Sequence, residues 1–259
     1  MIDHGATDES VEIINELAPH WDVRKTTSCQ HAFIAAEADK EVMMIEQHVE
    51  GWKMVLNVTE FLLHDSLHQY IENLPEEVRG VTTSGVVLVD MEGTRREQLT
   101  NEPLFFQKTM GYFEYELGKR PEDYGIPGVW RSRLLHCFPD GQYEVGRHVT
   151  HVPHRQDPNL FLVWAGWAPY EKIKDMKMAA QTRIPASEFE KGFSVQHRLD
   201  SEQDLENRLA AEQARSHDLL ADRNYAVVLR RLGYREHVAN KLRRFARQWL
   251  GPTPNFNST

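Results

Sequence analysis

Two groups of residues in this chain have the types and spacing of a reactive centre. The first is Asn57, Glu60, His64 and His68, spaced by three and four residues. On a helix, at about 100° per residue, these four fall within about 80° of one another. His64 and His68 at i, i+4 have the spacing that lets two imidazoles share a metal. The run HDSLH superficially echoes HExxH, with a shorter acid in the base position and no evident third ligand. The second group is His136, His148, His151 and His154, with Cys137 beside the first. If Arg131–Phe138 and Gln142–Val152 pair across Pro139-Asp140-Gly141, His136 approaches the others. His148 and His151 are an odd number apart, so a strand points them to opposite faces. A zinc-like ion or an acid/base role is the chemistry open to Glu60, His64, His68, His136, His148 and His151. A solvent-facing strip and a hairpin with incidental histidines are the plainer alternatives, and no cofactor is expected.

A third group does no covalent chemistry but carries the strongest charge signal. Between Arg223 and Arg247 lie eight basic residues and one acid, Glu236, giving a segment of +7 in a chain of net charge −9. Arg230, Arg231, Arg235, Lys241, Arg243, Arg244 and Arg247 make a candidate docking surface for an anionic partner, with a merely solvated face as the plainer alternative. The run LRRLGYREHVANKLRRFARQWL is similar to a helix-turn-helix in its helix–Gly–helix spacing, with Gly233 at the turn. That similarity implies DNA or RNA as a partner. Val238, Leu242, Phe245 and Trp249 make an i, i+4, i+7, i+11 stripe, the mark of a helix that packs on something.

The elements that must position these groups follow from periodicity. Residues 1–75 read as a helical N-terminal part. Asp8 caps a first helix with Val11, Ile14 and Leu17. Thr27 or Ser28 caps a second that runs to about Glu50, and a third spans about Lys53 to Leu74. The first fifty residues hold eleven acids against three bases. Residues 76–168 read as an antiparallel sheet: GVVLVD (Gly85–Asp90) before a Glu92–Gly93 turn, the hairpin around Pro139–Gly141, and LFLVWAGW (Leu160–Trp167). Leu104–Leu117 fits helix and strand equally. Residues 169–250 return to helix: Glu171–Gln181, Ala186–Lys191, a long helix capped at Asp200 or Ser201, and a final pair divided by Gly233. Residues 251–259 form a polar tail. The fold class is therefore α+β: a helical N-terminal part packed with a central antiparallel β-sheet, then a helical C-terminal extension. The expected buried positions are Phe61, Leu63, Leu67, Val87, Val89, Leu134, Phe161 and Val163.

Composition narrows the function. Two cysteines far apart make no disulfide framework or zinc finger, so an intracellular setting is expected, either cytoplasmic or a virion component assembled from cytosol. No secretory leader and no membrane span is expected. GxGxxG, GxxxxGK[ST], GxSxG and HExxH proper are absent, which disfavours the common nucleotide-driven and hydrolytic chemistries. The leading expectation is a non-enzymatic assembly or binding protein, forming a homo-oligomer or a larger protein complex. Its acidic N-terminal region and basic C-terminal helices are complementary surfaces, within one subunit or head-to-tail between subunits. The alternatives are a metal-dependent enzyme and a nucleic-acid-binding regulator.

Overall fold

A computed structural model describes residues 1–6, 9–91, 102–114, 132–194, 198–199 and 201–250, with the backbone alone for 244–250. The expected cap at Asp8, the Glu92–Gly93 turn, the end of Leu104–Leu117, Asp200 and the polar tail lie outside the described residues.

The class is α+β, with helices before and after a sheet. In chain order the elements are β1 (Ile2–Asp3), α1 (Ser10–Leu17), β2 (Arg24–Lys25), α2 (Ala35–Glu46), β3 (Lys53–Met54), β4 (Glu60–Leu63), α3 (Leu67–Glu72) and β5 (Gly80–Val89). Then come α4 (Leu104–Gln107), β6 (Met110–Phe113), β7 (Leu134–His136), β8 (Arg155–Trp167), α5 (Tyr170–Gln181) and α6 (Ala186–Glu190). The chain continues with α7 (Glu202–Arg215), β9 (His217–Asp218), a 3-10 turn (Leu219–Ala221), α8 (Arg223–Arg231) and α9 (Tyr234–Leu250).

β5 is the centre of the seven-stranded sheet found among the described residues, and its sequence explains why. GVTTSGVVLV is rich in β-branched residues, and every one of its ten positions is buried. One edge of β5 pairs with β8 along its length; the other is shared by β7 at its start and β6 at its end. The pairings are antiparallel except β5 with β8, which run parallel. Alternation along β5 builds two cores. Val86 and Leu88 pack with Phe113, Phe161, Leu219, Tyr225 and Leu229. Val87 and Val89 point the other way, to Tyr112, Trp167, Tyr170, Leu205 and Leu209.

The helices that close these cores have local start signals. Ser201 accepts the Asp204 N–H at 3.1 Å and opens α7, whose Leu205 and Leu209 are buried one turn apart. Asp222 accepts the Tyr225 N–H at 2.9 Å and opens α8, which buries Tyr225 and Leu229. α7 and α8 therefore cover opposite faces of the sheet, and α9 is the element left to project.

Three expected elements are corrected. The second helix begins at Ala35 with Ile34 at its cap, not at Thr27 or Ser28, and ends at Glu46. No helix spans Lys53–Leu74: this stretch forms β3, β4 and the short α3. Its nearly all-round apolar pattern suits strands as well as a helix, and β8 offers a pairing edge that β4 occupies from Glu60↔Trp164 to Leu63↔Phe161. Nor do Arg131–Phe138 and Gln142–Val152 form a hairpin. Both edges of β7 are taken, by β3 and β5, so residues 142–151 fold on themselves through the Tyr143↔Thr150 bridge. Of the expected core, Leu63, Val87, Val89, Leu134, Phe161 and Val163 are buried. Phe61 is 38% exposed and Leu67 half-buried, as the loss of the helix requires.

Candidate functional site

The candidate metal ligands are held by separate partners. Glu60, on β4, spends its carboxylate on Arg133: Nε donates to Oε2 at 2.9 Å and Nη2 to Oε1 at 2.7 Å. Asn57 adds its backbone N–H and its side-chain amide to the same oxygens. Arg133 also donates to the Gly146 carbonyl and contacts His148 Nδ1 at 3.0 Å. His64 Nδ1 accepts the Ser66 N–H at 3.0 Å, and its ring lies 5.1 Å from that of Tyr70. The His68 side chain is 84% exposed and sits beside Glu72. Glu60, His64 and His68 do not converge, because the helix that would have aligned them is absent.

His136 is fully buried, with Nδ1 accepting the Phe138 N–H and Nε2 lying 3.1 Å from Glu46 Oε1. That pattern places the ring proton on Nε2. Tyr143 donates to the same Glu46 oxygen at 2.9 Å, and the Gly141 N–H takes the other at 3.0 Å. Burial, followed by the charge of Glu46, pushes the Tyr143 hydroxyl well above its ordinary pKa. His151 stands apart in solvent beside Glu144. Among the described residues no three His, Cys, Asp or Glu side chains are grouped to hold a metal.

Sequence reasoning passed over the acids that organise this region. Asp39 and Glu46 are seven residues apart on α2, on the same buried face. Asp39 accepts the Gly146 N–H at 2.7 Å and pairs with Arg147, which reaches Asn57 at 2.7 Å. Together Asp39, Glu46 and Glu60 latch the 139–152 segment onto α2 and β4. Apart from Arg147 Nε, which is buried without a hydrogen-bond partner, their polar groups satisfy one another, which is the arrangement of a structural network. The signal available in the sequence was the acids at i, i+7 within the alternating pattern of α2.

The basic C-terminal pair is different. Gly233 has φ +98°, the left-handed conformation that ends α8 and lets α9 leave at a new angle. α9 begins on the core: Phe106 packs against Tyr234 and His237, with ring centroids 5.6 and 5.3 Å apart. His237 Nε2 lies 3.5 Å from Glu102 Oε2, both side chains nearly buried. Val238 is 36% exposed and Leu242 63% exposed.

Arg230, Arg231, Arg235, Lys241 and Arg243 are all exposed. Arg231 reaches Asp65, but at 3.9 Å and in solvent, where such a pair contributes little. Arg230 donates to the Ala226 carbonyl and Arg243 to Asn240. Among the described residues neither Arg235 nor Lys241 has a side-chain hydrogen bond or ion pair. Arg244 and Arg247 lie where the backbone alone is described.

Arg231 and His64 meet at one small polar cleft of about 330 Å³, lined also by Asp65, Tyr70 and Arg155. Burial, then the hydrogen bond to Asp157 at 2.8 Å, raises the Tyr70 pKa above its usual range.

Among the described residues, no helix is long and apolar enough to cross a membrane. No protein-family model, curated protein or solved structure matches the chain.

Proposed function

We propose that this chain is a non-enzymatic assembly protein whose α9 docks it into a larger protein complex. The observation that carries this reading is Leu242, 63% exposed on an otherwise amphipathic helix. Full burial of a leucine is worth on the order of 1.5–3 kcal/mol, and a partner surface covering Leu242 recovers the part it forgoes in water. Val238 continues the stripe one turn before it, and Arg235 and Lys241 lie to either side. A small apolar strip edged by cations fits an acidic protein surface with an apolar centre.

The test is the mass in solution of the purified 30.1 kDa chain at ionic strengths of about 0.01 M and 1 M. Between these, the Debye length falls from about 30 Å to about 3 Å. The expected result is an oligomer at low salt that weakens as salt rises, and a Leu242→Glu variant that is folded and monomeric. A monomer at every salt and at micromolar concentration overturns the reading. Salt-dependent binding of that monomer to DNA or RNA would replace it with the helix-turn-helix alternative.

A further inference from the structure

If α9 is a docking helix, its partner must present acids next to an apolar strip. Another helix among the described residues does so. α1 (Ser10–Leu17) has no buried residue. Ile13 is 48% exposed and Leu17 78% exposed, and they stand one turn apart on the same side of the helix. Trp21, just beyond, is 54% exposed. Glu9, Glu12 and Glu16 are exposed and recur at three- and four-residue steps, so they form an acidic ridge beside that strip. At about 100° per residue, Glu16 lies about 80° from the centre of the Ile13–Leu17 strip. On α9, Arg235 lies about 40° to one side of the Val238–Leu242 centre and Lys241 about 80° to the other. Each helix thus carries what the other lacks.

We infer that α9 of one copy packs on α1 of a second copy. The inference rests on the docking role proposed for α9 and names its partner. Within one chain the two strips do not cover each other, because Leu17 and Leu242 are both mostly in solvent. The match is therefore made between copies. Unlike surfaces in contact make a heterologous interface: every chain offers an α1 and an α9, and contacts propagate head-to-tail into a ring or an open chain. Apolar contact between Ile13, Leu17, Val238 and Leu242 supplies the affinity. The opposed charges set the register and speed the encounter.

Reversed charges test it. One variant carries Arg235→Glu and Lys241→Glu; the other carries Glu12→Lys and Glu16→Lys. All four side chains are exposed, so both variants are expected to fold, which circular dichroism checks. At low salt each alone is expected to sediment at 30.1 kDa, with a dissociation constant raised at least tenfold. A 1:1 mixture of the two offers a wild-type α9 to a wild-type α1 and a reversed α9 to a reversed α1, so it is expected to associate again into an oligomer of alternating copies. A chain carrying all four changes is expected to regain the wild-type oligomer. If the α1 variant, and a second variant Leu17→Ser, keep the wild-type mass while the α9 variant becomes monomeric, α1 is not the partner and the docking role of α9 stands. If the α9 variant also keeps the wild-type mass, the docking role itself fails. A mixture that stays monomeric overturns the pairing as well.

Discussion

Arg133 and Glu60 form a bidentate ion pair with both side chains almost completely buried, 2% and 1% exposed, at N–O distances of 2.7 and 2.9 Å. The pair joins β4 to the segment just before β7, seventy-three residues apart in sequence. Asn57, Gly146 and His148 complete the hydrogen bonding of its charged atoms.

Because both charges are out of water, removing one strands the other. Glu60→Ala is expected to destabilise the protein by about 3–5 kcal/mol. The double change Glu60→Leu with Arg133→Met removes both charges and should cost less than Glu60→Ala alone. Urea denaturation of the three proteins measures this. A double variant less stable than the single one would contradict a pair that serves mainly to satisfy its own charges.

The Glu46 carboxylate gathers the Gly141 N–H, the Tyr143 hydroxyl and His136 Nε2. Tyr143→Phe removes one of these donors and leaves the others, so a loss of about 1 kcal/mol is expected. Glu46→Ala leaves three buried donors without an acceptor and should cost more than twice that. Thermal melts, with hydrogen exchange at Gly141 as a local probe, read both effects.

Glu41 provides a pH signature. Burial opposes its ionisation, but hydrogen bonds from the Ser28 and Thr26 hydroxyls and from the Thr27 and Ser28 N–H groups outweigh it. The carboxyl is drawn from the ordinary 4.5 down to about 2. A depressed folded-state pKa adds stability that is present above the unfolded value. That stability is lost as pH falls from about 4.5 through about 2. Glu41→Gln should lower stability at pH 7 and flatten the fall across that window. Denaturation midpoints at several pH values would show it; an unchanged slope would remove Glu41 as a source of acid sensitivity.

The core should respond unequally to truncation. Leu162, fully buried at the centre of β8, is expected to lose about 2–5 kcal/mol on change to alanine. Leu67→Ala on the short α3 should lose less, and Phe61→Ala less than a phenylalanine normally does, since Phe61 is 38% exposed. Equal losses at Leu162 and Leu67 would place α3 in the central core after all.

What could be read from the chain alone is what neighbouring residues decide. The β-branched run ending at Val89 is a strand in any context. Ser201 caps a helix through a bond three residues away, and Gly233 ends another through its own φ angle. The amphipathic basic character of Tyr234–Leu250 is likewise local, and with it the candidate docking surface was visible. Tertiary pairing decided the rest. Glu60 sits on a strand because Trp164, about a hundred positions away, offers a free edge, and the apolar pattern around it satisfies either period. The 142–152 segment does not pair with β7 as a strand because β3 and β5 fill both edges of β7, and it meets His136 through the Tyr143 side chain. Arg133, Asp39 and Glu46 look like surface charges in the sequence. They became an internal network because the fold brings their partners from distant segments, and a buried charge persists only where such partners meet it.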